Sequence, residues 1–182
     1  MARILFIDDK FGVCENIKEK LGVSHQVEAI AKTLWSDASK EAQSKLIEPW
    51  DVLVLDMHYD SQHNLPHQGD FGGIWLYNEL VKLGFRSKWR HTIVYSRHVP
   101  PDWNAKSEGA ALALRVFLNT ADIPYDCAVP NDAVTPDNLN RRIADLIALD
   151  KHARELLSRN STFTPSRNAN LLDPLAPPSV AP

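Results

Sequence analysis

Apolar residues in this chain gather into short unbroken runs instead of alternating with polar ones. The three clearest runs are 3–8 (RILFID), 51–56 (DVLVLD) and 92–96 (TIVYS). Runs of this length, rich in Ile, Val, Leu or an aromatic and stopping at a polar residue, predict strands buried on both faces. Weaker runs at 25–31 and 126–129 predict two more. Between them the period changes to that of a helix. Residues 11–21 put Cys14, Ile17 and Leu21 on one face, with Gly22 following as a C-cap. Residues 74–83 do the same with Ile74, Tyr77, Leu80 and Val81, followed by Gly84. Weaker helices are expected over 37–47, with Ser36 as N-cap, and over 108–121. The best-signalled helix is the last: Thr135 as N-cap, Pro136 at the first helical position, then Leu139, Ile143, Leu146 and Ile147, with an extension to Leu157 open.

Strand and helix alternate five times, which specifies an α/β fold: a doubly wound parallel sheet with helices on both faces. From residue 160 the sequence turns to Ser, Asn and Pro. Such a segment cannot pack a core of its own and is expected to be a flexible tail, so we divide the chain into 1–159 and 160–182.

Composition narrows the function classes. In 182 residues, 20 Lys and Arg against 23 Asp and Glu give a formal charge of −3, which argues against a nucleic-acid-binding surface covering the whole protein. The 2 cysteines, Cys14 and Cys127, form no CxxC pair, which disfavours a disulfide framework or a cysteine-rich zinc module and fits a reducing compartment. The apolar run at 4–7 is too short for a signal peptide, and no stretch reaches the ~18 apolar residues of a membrane span. The expected location is the cytoplasm.

In open parallel sheets, ligands bind beyond the carboxyl ends of the strands where the strand order reverses. For the flavodoxin-like order 2-1-3-4-5, that point lies between the first and third strands. Asp8 and Asp9 follow the first strand and Asp56 ends the third. Aspartates often end strands merely as turn formers, but three at this point suggest a pocket for a hard divalent cation, Mg²⁺, which would relieve their repulsion. A carboxylate beside such an ion can attack a phosphoryl group, and Asp56, central in the sheet, is the candidate nucleophile.

The segments FIDDK at 6–10, VLVLDM at 52–57, GGIWLYNEL at 72–80 and IVYS at 93–96 together resemble the receiver domain of two-component response regulators. The resemblance covers roughly residues 3 to 148. It implies a five-stranded flavodoxin-like sheet of order 2-1-3-4-5, an acidic metal-binding pair at Asp8 and Asp9, and a phosphoacceptor at Asp56. It also implies that His58 lends a backbone carbonyl to the metal and that Ser96 is the switch hydroxyl. The chain would then be a stand-alone receiver with an extended last helix and a tail. Its partners would be a sensor kinase or other phosphodonor protein and a downstream effector protein, met through the fourth and fifth strands and helices. A homodimer is left open, and neither nucleic acid nor membrane is expected as a partner.

Two features depart from the family. Receivers carry a Lys-Pro pair after the fifth strand, whereas Val129 precedes Pro130 here, and counting back from the last helix puts Asp132 at the lysine position. Lys10 and Arg97 are the candidate substitutes. The connection from 58 to 73 is also long and overhangs the expected crevice. Its His58, His63 and His67, with Asp60 and Asp70, are read as solvated side chains and not as a transition-metal cluster. The stretch 110–118 reads as a buried helix face first and a partner surface second. The function expected is a signal-transduction receiver that binds Mg²⁺ and accepts a phosphoryl group at Asp56, with no catalysis beyond self-phosphorylation from a phosphodonor. The alternative is a phosphorylation-independent pseudo-receiver acting as an interaction scaffold. A phosphohydrolase on a similar sheet is disfavoured, because the hhhhDxD motif of haloacid-dehalogenase-like enzymes is absent after the first strand.

Overall fold

A computed structural model describes residues 1–57, 59, 72–100, 102, 109–130 and 135–161. They form strands β1 (Arg3–Asp8), β2 (Gln26–Ala31), β3 (Trp50–Asp56), β4 (Trp89–Ser96) and β5 (Ala128–Pro130). The helices are α1 (Phe11–Gly22), α2 (Trp35–Lys45), α3 (Gly72–Lys82), α4 (Gly109–Thr120) and α5 (Thr135–Ser161). The five strands make one sheet in the order β2-β1-β3-β4-β5. All four pairings are parallel. The sequence-based expectation of a flavodoxin-like order is met.

The unbroken apolar runs have the predicted cause. From Ile4 to Ile7 and from Val52 to Leu55 every residue is at 0% exposure, because helices cover both faces of the central strands. One helical layer contains α2, α3 and α4: Trp35 stacks on Trp75, with ring centroids 6.5 Å apart, and Tyr77 meets Phe117 edge-on at 5.3 Å. On α1, Cys14, Ile17 and Leu21 face the core as expected. Leu139 and Ile143 anchor α5 at 0% exposure.

Several boundaries differ from expectation for local reasons. Gly22 lies inside α1 instead of capping it: the amides of Ser24 and His25 both close onto the carbonyl of Leu21, so the end needs no left-handed residue. His25 precedes β2, its imidazole held between the Ala2 amide and Asn140. Helix α2 begins before Ser36. Its N-cap is Leu34, which offers no side-chain cap, and Trp35, packed against the core, sets the start. Strand β4 extends back to Trp89, whose indole N–H donates to Thr92 Oγ1 at 2.9 Å. Asp126 and Cys127 belong to a 3₁₀ turn over Tyr125–Cys127 instead of to β5, since the Cys127 amide bonds the carbonyl of Pro124 and Arg142 holds Asp126 at 2.6 Å. Gly84 adopts the left-handed conformation, φ 86°, after α3.

The chain falls into two units, 1–147 and 148–182. Helix α5 continues past Leu157, to Ser161, and within the second unit its Leu149, Leu156 and Leu157 are exposed. The tail expected after 160 lies, from 162 onward, outside the described residues.

Candidate metal and phosphoacceptor site

Parallel pairing of β1 with β3 brings their carboxyl ends side by side, with Ile7 opposite Leu55. Asp8 and Asp9 on one strand end and Asp56 on the other therefore share a crevice. Each offers a carboxylate oxygen within 4.8 Å of the other two, and all three residues are buried, at 0%, 8% and 3% exposure. This is the trio singled out from the sequence, at the sheet's switch point.

The pocket is electrostatically unsatisfied. Asp8 Oδ1 accepts the Lys10 amide at 2.7 Å, but Asp8 Oδ2 is buried without a hydrogen-bond partner among the described residues. Burial foremost pushes the Asp8 carboxyl up to about 7, against the opposing pull of the Lys10 amide; the charge and hydrogen bonding of Asp9 raise it further. Buried carboxylate oxygens with lone pairs to spare are the donor set a hard divalent cation takes, so the residues fit Mg²⁺. The nearby thiol does not compete. Cys14 is buried, its Sγ bonds the carbonyl of Ile30 at 3.5 Å, and burial followed by the Asp8 charge pushes it up to about 12.

The floor of the crevice is fixed by close backbone approach. The Met57 amide bonds the carbonyl of Tyr95 at 3.1 Å, tying the end of β3 to β4. Helix α3 then starts against that turn. A Cβ on Gly73 would collide with the Asp56 carbonyl oxygen and lie 2.8 Å from Met57 Cα, and one on Gly72 would lie 2.6 Å from Tyr59 Cβ. The glycine pair therefore lets α3 pack directly beneath Asp56.

Ser96 ends β4 fully buried, and its Oγ accepts the His98 amide at 3.1 Å. His58, the expected backbone ligand, lies outside the described residues, as do His63, His67, Asp60, Asp70 and Asp132. At the end of β5, Val129 is buried at 4% exposure and Pro130 pairs with Ser96, so the residue before the proline is apolar. Of the candidate substitutes, Lys10 is exposed and its charge lowers the Asp8 pKa only weakly; the exposed Arg97 contacts the adjacent His98 through its Nε at 3.4 Å.

One residue of the pocket was not singled out from the sequence. Tyr59, three positions beyond Asp56, is 2% exposed, and its hydroxyl is buried. Its signal was faint: one aromatic in a mostly polar connection, without periodicity. Elsewhere, an apolar groove of about 810 Å³ separates α3 from α4, lined by Tyr77, Val81, Leu112, Val116 and Phe117 among others.

No protein-family model matches the chain, and no curated protein matches it by sequence. Solved structures do. A response regulator receiver domain protein from Clostridium thermocellum aligns with TM-score 0.55 at 18% identity, over 84% of this chain and 99% of that one. The signal receiver domain of a modulated diguanylate cyclase from Desulfovibrio desulfuricans G20 gives 0.53 at 13%, over 84% and 98%. The BeF3-activated receiver domain of DrrB, a Thermotoga maritima protein, gives 0.51 at 16%, over 81% and 98%. The chain thus has the fold of response-regulator receiver domains.

Proposed function

We propose that the protein is a signal-transduction receiver module that binds Mg²⁺ through Asp8, Asp9 and Asp56 and accepts a phosphoryl group on Asp56. The observation that carries this reading is the convergence of three buried carboxylates at the switch point of a receiver fold, Asp8 Oδ2 among them having no hydrogen-bond partner among the described residues. A bound Mg²⁺ would supply positive charge against the carboxylates and the incoming phosphoryl oxygens. The chain's own residues do the rest. Asp56, held by the Met57 amide and by α3 beneath it, presents its carboxylate as nucleophile. An oxygen–phosphorus bond to Asp56 forms as the donor's own bond to phosphorus breaks, and the donor atom leaves with that electron pair, as a carboxylate when the donor is a small acyl phosphate. The buried Ser96 hydroxyl, at the neighbouring strand end, is the group placed to sense the new charge. A sensor kinase or another phosphodonor protein would supply the phosphoryl group, with a downstream effector protein reading the result. The exposed Leu112 and Val116 on α4 give that effector an apolar surface.

The cation chemistry is tested by melting the protein with and without millimolar Mg²⁺. The expected outcome is a higher melting temperature with Mg²⁺ and little change in Asp9→Asn, because the ion binds the folded pocket and not the unfolded chain. No shift in the unmodified protein would contradict it. A specific observation favours a second reading, the phosphorylation-independent scaffold: the residue before Pro130 is a buried valine where the family places a cation, so one stabilising charge for an aspartyl phosphate is absent there.

A further inference from the structure

The mechanism above leaves the hydroxyl of Tyr59 unused. The side chain is almost fully buried, at 2% exposure, with its ring against Gly72. Among the described residues its hydroxyl has no hydrogen-bond partner, an uncommon state for a buried phenol. After burial, the influences it feels most are the charges of Asp56, then Asp8, then Asp9. Among the described residues the phenol is thus a buried polar group without a partner, within electrostatic reach of the three clustered carboxylates and of the buried, unpartnered Asp8 Oδ2. A merely structural tyrosine gains from keeping its hydroxyl either paired or in solvent, and among the described residues this one is neither.

Magnesium is bound by only one or two carboxylates as a rule and keeps several of its waters. Those waters need polar neighbours, and groups that orient a metal's ligands from just outside them commonly alter affinity by 10–100-fold. We propose that Tyr59 is a positioning residue of the cation site, its hydroxyl hydrogen-bonding a water carried by the divalent ion. The inference rests on the reading of Asp8, Asp9 and Asp56 as a Mg²⁺ site. It also explains why α3 opens with two glycines: the first makes room for the Tyr59 side chain, and the second for the Asp56 backbone.

The test is a calorimetric titration of the full chain and of Tyr59→Phe with MgCl₂, together with the melting temperature of each in a chelator. The expected result is about tenfold weaker Mg²⁺ binding in Tyr59→Phe, with a metal-free melting temperature equal to or above that of the unmodified protein, because the hydroxyl removed has no partner to lose. Tyr59→Leu, which also lacks the hydroxyl, should show a similar weakening and guards against an effect peculiar to one variant. If the unmodified protein binds Mg²⁺ and both variants bind it equally well, the inference is overturned while the cation site stands. If Tyr59→Phe melts lower and binds equally, Tyr59 is structural only and the inference is likewise overturned. A wild-type chain that takes up no Mg²⁺ overturns the reading of the carboxylate pocket and this inference with it.

Discussion

Asp8 shows what burial does to a single carboxylate. Its ordinary value of 3.8 is raised to about 7, chiefly because the charged form loses water. A carboxyl whose folded pKa is raised holds its proton more tightly in the folded than in the unfolded chain. Its contribution to stability is therefore greatest at low pH and is lost as pH rises through the window between about 4 and about 7. The metal-free protein should melt lower at about pH 8 than at about pH 6, the difference shrinking in Asp8→Asn and in the presence of Mg²⁺. Melting curves in a chelator over that range check this, and an identical pH profile in Asp8→Asn would refute it. Asp8 and Asp56 were legible in the sequence because each closes an apolar run, a strand's end being marked by its first polar residue, and Asp9 because it follows Asp8 directly. Tyr59 was not. It sits in a connection whose geometry no periodicity encodes, and its burial arises from a helix that begins thirteen positions later, at Gly72.

Among the elements, β1 and β3 were readable almost to the residue, because a strand covered on both faces permits no polar position. Elements set by packing between helices were read less well. The start of α2 was assigned to Ser36 on capping chemistry, yet Trp35 engages the core and stacks on Trp75, which moves the N-cap to Leu34. The helix consequently begins without a side-chain acceptor for its free amides. Supplying one should help. Leu34→Asp, at a position with extended backbone and 36% exposure, should stabilise the protein by about 1 kcal/mol, a rise of roughly 2–4 °C in melting temperature. Thermal unfolding decides it, and an unchanged or lower midpoint would show that Leu34 contributes more by packing than a cap can offer. The short β5 was misplaced for a related reason. Arg142 on α5 binds Asp126 and donates to Cys127 Sγ at 3.3 Å, drawing both residues into a turn, and that long-range contact leaves no trace in local sequence.

For the molecule as a whole, strand order was the most consequential expectation. The order β2-β1-β3-β4-β5 alone brings the ends of β1 and β3 together, and without that juxtaposition the three aspartates would be unrelated surface residues. The fold is that of receiver domains even though identity to the solved examples is only 13% to 18%. What the likeness shows at that distance is the fold alone, a sheet whose central strands are unbroken buried runs. No described helix is long and apolar enough to cross a membrane. The proposed role of Asp56 as a phosphoacceptor served by a Mg²⁺ pocket is tested most directly by the intact mass of the protein after incubation with a small acyl phosphate and Mg²⁺. A gain of one phosphoryl group is expected, requiring Mg²⁺ and disappearing in Asp56→Asn. A mass unchanged under these conditions, or a gain that persists in Asp56→Asn, would contradict it.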